Sequence, residues 1–137
     1  MTTPTVLSNY FGYRDAVKAI DWLGKVFGFE PTMQFPDEQG GILHAELRLG
    51  DAVIVVFSDR DDYERAPRKG ETTGQGVYLV VDSEATVDRL YQRAAAEGAT
   101  TIWAAGRSEW NYRFRVADLE GFEWTVGVHR PGQPSQD

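Results

Sequence analysis

The clearest pattern of apolar and polar positions along the chain lies between residues 112 and 126. Aromatic and aliphatic residues alternate with charged and polar ones in two runs, 112–117 and 122–126. A period of two predicts two β-strands. Between the runs, Asp118 can accept hydrogen bonds in a turn and Gly121 tolerates a positive φ. The pattern therefore predicts a tight antiparallel hairpin, with Arg113 and Arg115 on the face opposite its apolar residues.

Two further segments show the three- and four-residue spacing of an amphipathic helix. Their apolar stripes are Ala16, Ala19, Ile20, Leu23 and Phe27 in the first, and Val87, Leu90, Tyr91 and Ala94 in the second. Asp15 and the pair Asp82-Ser83 precede them, and these residue types cap helix N-termini. Gly28 and Gly98 follow them and are typical of helix ends.

Strand patterns surround both helices. They lie at 5–13, with Leu7, Phe11 and Tyr13 on one face, at 29–35, 42–49, 52–57, 76–81 and from 100 onward. The run 42–49 alternates strictly, which predicts Leu43, Ala45, Leu47 and Leu49 on one face. The run 52–57 is apolar throughout and is predicted to be covered on both faces.

Both halves of the chain therefore show one strand, one helix and then three strands. An offset of 67 residues aligns Asp15 with Asp82 and Leu23 with Leu90. We expect an α+β protein of two duplicated βαβββ modules. The predicted boundaries within a single domain, 1–137, are module 1 at about 5–57, a linker at 58–75, module 2 at about 76–129 and a tail at 130–137.

Composition narrows the possible functions. The chain has no cysteine, which excludes thiolate catalysis, disulfides and cysteine-held iron–sulfur clusters. A formal net charge of −7 opposes binding to nucleic acid and to anionic membranes. No apolar run approaches the length of about 20 residues that a membrane helix needs, and the first residues lack a basic start. We therefore expect a cytoplasmic protein with no nucleic-acid or membrane partner.

The last hairpin has a distinctive spacing: an arginine, Asp-x-x-Gly, and a tryptophan three residues on. This spacing resembles the last hairpin of the vicinal oxygen chelate superfamily of glyoxalase, bleomycin-resistance and dioxygenase proteins, with Leu119 in place of the usual proline. The opening segments 13–16, 19–23 and 26–30 resemble one subgroup. The resemblance covers about residues 5–129. It implies that the two modules form a curved mixed sheet around a concave cavity, with the helices outside, and that homodimers are common.

The same resemblance implies which positions of the sequence would hold the metal ligands. The family's ligand positions fall on Ser8, Val55, Gln75 and Thr125. Because these side chains are poor donors for divalent cations, we expect no metal and no cofactor. His44 and Glu46, two residues apart on one strand, are the fallback metal ligands. Otherwise they form a polar strand face on which Arg48 satisfies Glu46.

The residues expected to line the cavity combine aromatic and apolar side chains with a few polar ones, as organic-ligand pockets do. They are Ser8, Tyr10, Glu46, Val55, Phe57, Gln75, Trp103, Trp110, Arg113, Arg115, Glu123 and Thr125, with Val53, Val77 and Leu79 as companions. Glu46 or Glu123 would counter a ligand cation. Each tryptophan has an alternative place in the core or in a dimer interface.

The expected function is that of the bleomycin-resistance branch, a metal-free protein that sequesters an aromatic drug or metabolite without chemical change, in antibiotic resistance or self-protection. The alternative is a metal-dependent lyase, isomerase or dioxygenase that uses His44 and Glu46. A third possibility is a protein that works only through its dimer surface. The expected partners are an aromatic small molecule and a second copy of the chain. The identity of the ligand, and whether modules pair within one chain or swap across the dimer, stay open.

Overall fold

The computed structural model describes residues 5–59 and 73–132. The chain divides into two compact units, Met1–Arg65 and Ala66–Asp137, and each contains one βαβββ module. The predicted α+β class and the two repeated modules are confirmed. The predicted linker 58–75 lies largely outside the described residues, and so does 133–137 of the predicted tail.

Module 1 is a four-stranded mixed sheet with one helix. Its elements are β1 (Asn9–Tyr13), α1 (Ala16–Phe27), β2 (Glu30–Pro36), β3 (Ile42–Leu49) and β4 (Ala52–Ser58). The strand order is β1-β4-β3-β2, and only the β1–β4 pairing is parallel. The strand β1, which begins the module, lies beside β4, which ends it. The segment between them, with α1, β2 and β3, provides the long crossover connection that a parallel pair needs.

Local sequence explains the limits of α1. The Asp15 carboxylate accepts a hydrogen bond from the Lys18 backbone N–H at 3.0 Å, and Gly28 ends the helix with a φ of 93°. The buried stripe is broader than predicted, because Trp22 and Val26 are buried as well while Ile20 is only half-buried. These side chains pack against the sheet, so α1 covers one of its faces.

Module 2 repeats this arrangement. Its elements are β5 (Gly76–Val80), α2 (Glu84–Ala96), β6 (Thr100–Arg107), β7 (Tyr112–Ala117) and β8 (Glu123–Gly127), in the order β5-β8-β7-β6. The strands β5 and β8 are parallel and the other neighbours are antiparallel. The core is built from the fully buried side chains of Val87, Ala94, Phe114, Val116, Trp124 and Val126. No helix among the described residues is long and apolar enough to cross a membrane.

The predicted hairpin joins β7 to β8. Asp118 Oδ1 accepts hydrogen bonds from the backbone N–H groups of Glu120 and Phe122, each at 3.0 Å, and Gly121 has a φ of 93°. Asp118 Oδ2 accepts from the indole nitrogen of Trp124 at 3.0 Å. One carboxylate therefore orders the turn and also holds a core tryptophan.

The repeat offset predicted from sequence is wrong by one residue. The residue that caps α2 is Ser83, whose backbone is extended and whose Oγ accepts from the Thr86 N–H at 3.2 Å. An offset of 68 residues, from Asp15 to Ser83, aligns buried Ala19 with Val87, Trp22 with Leu90, and Val26 with Ala94. The error arose because Asp82 has the same side chain as Asp15, although it lies one position before the cap.

Three predictions about apolar residues are also wrong. Leu7 precedes β1 and is 89% exposed. Leu43 is 66% exposed while Ile42 is buried, because the β2–β3 register shifts between Phe35 and Pro36 and the alternation of β3 breaks there. The strand β4 is buried on one face only, through Ile54 and Val56.

Candidate functional site

In module 1, the sheet face opposite α1 brings together three of the predicted site residues. Val55 of β4 is half-buried and points away from the buried face of Ile54 and Val56. It pairs in register with Tyr10 of β1 on one side and with Glu46 of β3 on the other. Tyr10 is 68% exposed. This face therefore presents an accessible row with one aromatic, one aliphatic and one acidic side chain.

Phe57 extends this row along β4. Its ring centroid lies 6.1 Å from that of Tyr10, with the ring planes 30° apart. Gly12 is the register partner of Phe57, and a Cβ there would lie 3.0 Å from Phe57 Cε2. The Phe57 ring can therefore lie against β1 because residue 12 has no side chain. Ser8 lies just before β1 and is exposed.

The two fallback metal ligands, His44 and Glu46, contact each other. His44 Nε2 lies 2.8 Å from Glu46 Oε2, and both side chains are partly exposed. The prediction that Arg48 would satisfy Glu46 is therefore wrong, since His44 is the partner. Across residues 5–59 and 73–132, no group of three or more His, Cys, Asp or Glu residues is arranged to hold a metal ion.

In module 2, the face opposite α2 carries a row of Trp103, Arg115, Thr125 and Tyr78, which are register partners across β6, β7, β8 and β5. Arg115 Nε donates to Thr125 Oγ1 at 2.7 Å, and its Cζ lies 3.8 Å from the centroid of the Trp103 ring. The register of β6 shifts on both sides of Trp103. Such bulges re-aim side chains, and here Trp103 meets the arginine face of β7.

Arg113 joins the same cluster. Its Cζ lies 4.8 Å from the Trp103 ring centroid, and its Nη1 donates to the Ala104 carbonyl at 3.3 Å. Both arginines are half-buried, and Trp103 is 39% exposed. The prediction that Arg113 and Arg115 share the face of Thr125 agrees with these contacts.

Glu123 is the first residue of β8, and Gln75 directly precedes β5. Both contact Thr73. Glu123 is only 4% exposed, and its Oε2 accepts from the Thr73 backbone N–H at 2.7 Å and from the Thr73 hydroxyl at 3.3 Å. The same hydroxyl lies 2.8 Å from the Gln75 carbonyl oxygen, so these two acceptors share its single hydrogen. Glu123 therefore anchors the segment that leads into β5. Gln75 is exposed in that segment.

The predicted companions Val77 and Leu79 are wrong for this face. Their register partners in β8 are Trp124 and Val126, which are core residues, whereas Tyr78 pairs with Thr125. The one-residue error in the repeat offset produced this exchange, because a shift of one residue moves every side chain of a strand to the other face.

A hydrogen-bond network around Asn111 was missed by the sequence reasoning. Asn111 is 3% exposed, its Nδ2 donates to Tyr78 Oη at 3.1 Å, and its Oδ1 accepts from the backbone N–H groups of Val128 and His129. Tyr78 Oη donates to the His129 carbonyl at 2.8 Å. Burial raises the pKa of Tyr78, and the Asn111 hydrogen bond offsets this in part. The residue in the sequence that could have indicated this network is Gly127, because a glycine within a strand often marks a close approach of other groups. A Cβ at this position would collide with Tyr78 and Asn111.

Trp110 lies in the turn between β6 and β7. It is 68% exposed, and its ring meets the His129 ring edge-on at a centroid distance of 4.9 Å. Neither residue belongs to the Trp103 row. Trp110 is therefore an accessible aromatic surface at the end of the module rather than a core residue.

Similar proteins are known both by sequence and by structure. The uncharacterized protein Mb0911c of Mycobacterium bovis is 29% identical over 123 residues, which is 88% of this chain and 81% of that protein. The crystal structure of TioX from Micromonospora sp. ML1 matches with a TM-score of 0.68 and 26% identity, covering 93% of this chain and all of TioX.

A third likeness concerns the fold alone. FosX from Listeria monocytogenes, a fosfomycin resistance protein crystallised with Mn(II) and sulfate, matches with a TM-score of 0.72 at 12% identity, covering 95% of this chain and 96% of FosX. Residues 10–126 match the family model described as the glyoxalase/bleomycin resistance protein/dioxygenase superfamily. The chain belongs to the glyoxalase/bleomycin resistance protein/dioxygenase superfamily.

Proposed function

We propose that this protein binds an aromatic drug or metabolite and sequesters it without chemical change, in the manner of the bleomycin-resistance branch of its superfamily. The observation that carries the proposal is the aromatic surface on the sheet face opposite α1, where Tyr10 is 68% exposed and the neighbouring Phe57 is half-buried. Sheet faces that pack only within a protein core bury such rings. Here the two rings flank apolar Val55, and Tyr10 stays largely accessible.

The energetics favour an aromatic ligand. Aromatic pairs contribute about 0.5–1.5 kcal/mol beyond the burial of their area. The tilt of 30° between Tyr10 and Phe57 leaves a surface on which a third ring can be offset-stacked or meet an edge. Trp103 and Trp110 supply further exposed aromatic area in module 2.

The donor chemistry supports a metal-independent role. Val55 offers no donor atom, and Thr125 Oγ1 already accepts a hydrogen bond from the charged Arg115. With the corrected offset, the position that corresponds to Ser8 is Gly76, which also has no donor side chain. The protein side chains that most often bind divalent cations do so through an imidazole nitrogen, a thiolate sulfur or a carboxylate oxygen. The family's ligand positions in this chain therefore do not fit a divalent metal.

The test is a binding screen with recovery of the ligand. Aromatic antibiotics are screened by ligand-observed NMR, and each hit is titrated by calorimetry against the wild type, Tyr10→Ala, Phe57→Ala and the control Val17→Ala. Val17 is an exposed apolar residue of α1, on the helical side of module 1. We expect one saturable site per chain, about ten-fold weaker binding in each aromatic variant, an unchanged control, and chemically unaltered ligand by mass spectrometry.

Saturable binding that is insensitive to both aromatic substitutions would contradict the proposed surface. Conversion of the ligand to a product would contradict sequestration. Light scattering of the same preparation tests the proposal that the protein forms a homodimer. Fractionation of the source cells tests the proposal that it resides in the cytoplasm.

A metal-dependent lyase, isomerase or dioxygenase is the second candidate. It is favoured by one observation, the convergence of His44 and Glu46 to 2.8 Å on the open face of module 1. Elemental analysis of the purified protein distinguishes the two candidates. Retention of one manganese, iron or zinc per chain that His44→Ala abolishes, together with metal-dependent conversion of a ligand to a product, would establish the metal enzyme.

A further inference from the structure

The Trp103 cluster, composed of Trp103, Arg113 and Arg115, concentrates positive charge on the open face of module 2. The two guanidinium carbons lie 4.8 and 3.8 Å from the centroid of the Trp103 ring. The chain carries a formal net charge of −7, so the charge of this cluster is opposite in sign to that of the chain as a whole. In the described parts of the chain, neither arginine forms an ion pair with a carboxylate.

The hydrogen bonds of the cluster leave most of its donors available. A guanidinium group has five N–H donors, all in its own plane. Arg115 uses Nε for Thr125 Oγ1, and Arg113 uses Nη1 for the Ala104 carbonyl. Arginine commonly stacks on aromatic rings through the face of its guanidinium group, and this contact leaves the N–H donors at the edge available. Within residues 5–59 and 73–132, the Nη atoms of Arg115 therefore keep their donors for a ligand, beside a fixed aromatic ring.

The environment also favours an anion energetically. Both arginines are half-buried, and partial burial of a charge is costly unless it is paired. The indole ring compensates in part through cation–π attraction. A ligand carboxylate would pair the charge more fully, because Arg–carboxylate contacts are often bidentate and are stronger than neutral hydrogen bonds.

We propose that the Trp103 cluster binds the carboxylate of a planar aromatic ligand, with Arg115 as the main anion contact and Arg113 as the second. The part of the Trp103 ring that the arginines leave exposed is the stacking surface for the ligand ring. The inference rests on the proposed function only in treating the open sheet face as a ligand surface. It replaces the expectation that Glu46 or Glu123 counters a ligand cation, since Glu123 is buried against Thr73 and Glu46 contacts His44.

The test compares two probes of the same shape that differ in charge, 2-naphthoate and 2-naphthamide. Each is titrated into the full chain by calorimetry at low salt. We expect 2-naphthoate to bind about ten-fold more tightly than 2-naphthamide. In a ¹⁵N-labelled sample, the indole N–H resonance of Trp103, assigned with Trp103→Phe, should shift during the 2-naphthoate titration. Equal affinity of the two probes would overturn the inference without touching the proposed function.

Variants locate the contact. Arg115→Gln and Arg113→Gln should each reduce the preference for 2-naphthoate by at least about five-fold, while Arg93→Gln should leave it unchanged. Arg93 is exposed on α2, and its replacement removes the same charge from the opposite side of the module. Arg115→Lys keeps the charge but loses the planar fork, so it should lose most of the preference. Circular dichroism confirms that each variant is folded.

An unchanged preference in both glutamine variants would overturn the inference, as would an equal loss in Arg93→Gln. If neither naphthyl probe binds, the inference also fails. The proposed function is then judged separately, by the antibiotic screen with Tyr10→Ala and Phe57→Ala.

Discussion

The indole nitrogen of Trp124 lies 3.0 Å from Oδ2 of Asp118, and both side chains are buried. The other oxygen of the same carboxylate accepts from the N–H groups of Glu120 and Phe122. The turn and the core of module 2 therefore share one residue. This arrangement gives a physical reason for the spacing of aspartate, glycine and tryptophan in the last hairpin.

Trp124→Phe should destabilise the protein markedly. The change removes the indole donor, leaves an oxygen of Asp118 without that hydrogen bond in the core, and reduces the volume of a fully buried side chain. An unsatisfied buried acceptor costs about 1–3 kcal/mol, more if it is charged. Urea unfolding should show this loss, whereas Trp110→Phe, at an exposed position, should change stability by less than about 0.5 kcal/mol. Equal effects of the two substitutions would refute the role of Asp118.

Gly127→Ala should disrupt the Asn111 network. A Cβ at residue 127 would lie 2.5 Å from Tyr78 Oη and 2.7 Å from Asn111 Nδ2, so both side chains must move. Overpacking of this kind costs about 1–3 kcal/mol. Gly106→Ala is the matched control, because Gly106 also lies in a strand and a Cβ there meets nothing within 4 Å. Thermal unfolding of both variants tests the prediction, which fails if Gly106→Ala is the more destabilising change.

The sequence predicted the elements well because their signals are local. The alternation at 112–117, the Asp15 cap and the Gly28 stop each depend on neighbouring residues, and the structure contains all three as predicted. The prediction of two repeated modules succeeded for the same reason. Each module repeats the same sequence of local signals.

Features set by contacts between distant residues could not be predicted. The exposure of Leu43 results from a register shift against β2, and the position of Trp103 over Arg115 depends on irregular pairing of β6 with β7. The hydrogen bond between His44 and Glu46 had an equally plausible competitor in Arg48. The offset error of one residue had a large effect on the predicted site. It placed Val77 and Leu79 on the open face, where the structure has Tyr78.

Ser83→Ala should destabilise α2 more than Asp82→Asn does. Ser83 Oγ accepts the hydrogen bond from the Thr86 N–H at the helix start, and loss of an N-cap typically costs about 1 kcal/mol. Asp82→Asn retains a side-chain oxygen acceptor at an exposed position outside the cap, so its cost should be clearly smaller. Urea unfolding of both variants measures the difference. A larger loss in Asp82→Asn would restore Asp82 as the capping residue.

Asp82 should titrate below its ordinary pKa of 3.8. Its Oδ1 accepts from Thr86 Oγ1 at 2.6 Å and from Ser83 Oγ at 3.2 Å, and these bonds favour the charged form, which lowers the pKa. Because the folded pKa is depressed, the stabilisation is fully present above the unfolded value and is lost as the pH falls through the folded value.

Carboxyl ¹³C NMR measures the Asp82 midpoint directly. Thr86→Val removes the larger cause and should raise the pKa of Asp82 toward 3.8, so the acid-side loss of stability linked to this group should shrink. Thr100→Val makes the same substitution at an exposed position of β6, and should leave the midpoint in place. A wild-type midpoint at or above 3.8, or an equal shift in Thr100→Val, would show that the Thr86 hydroxyl does not hold the charged carboxylate.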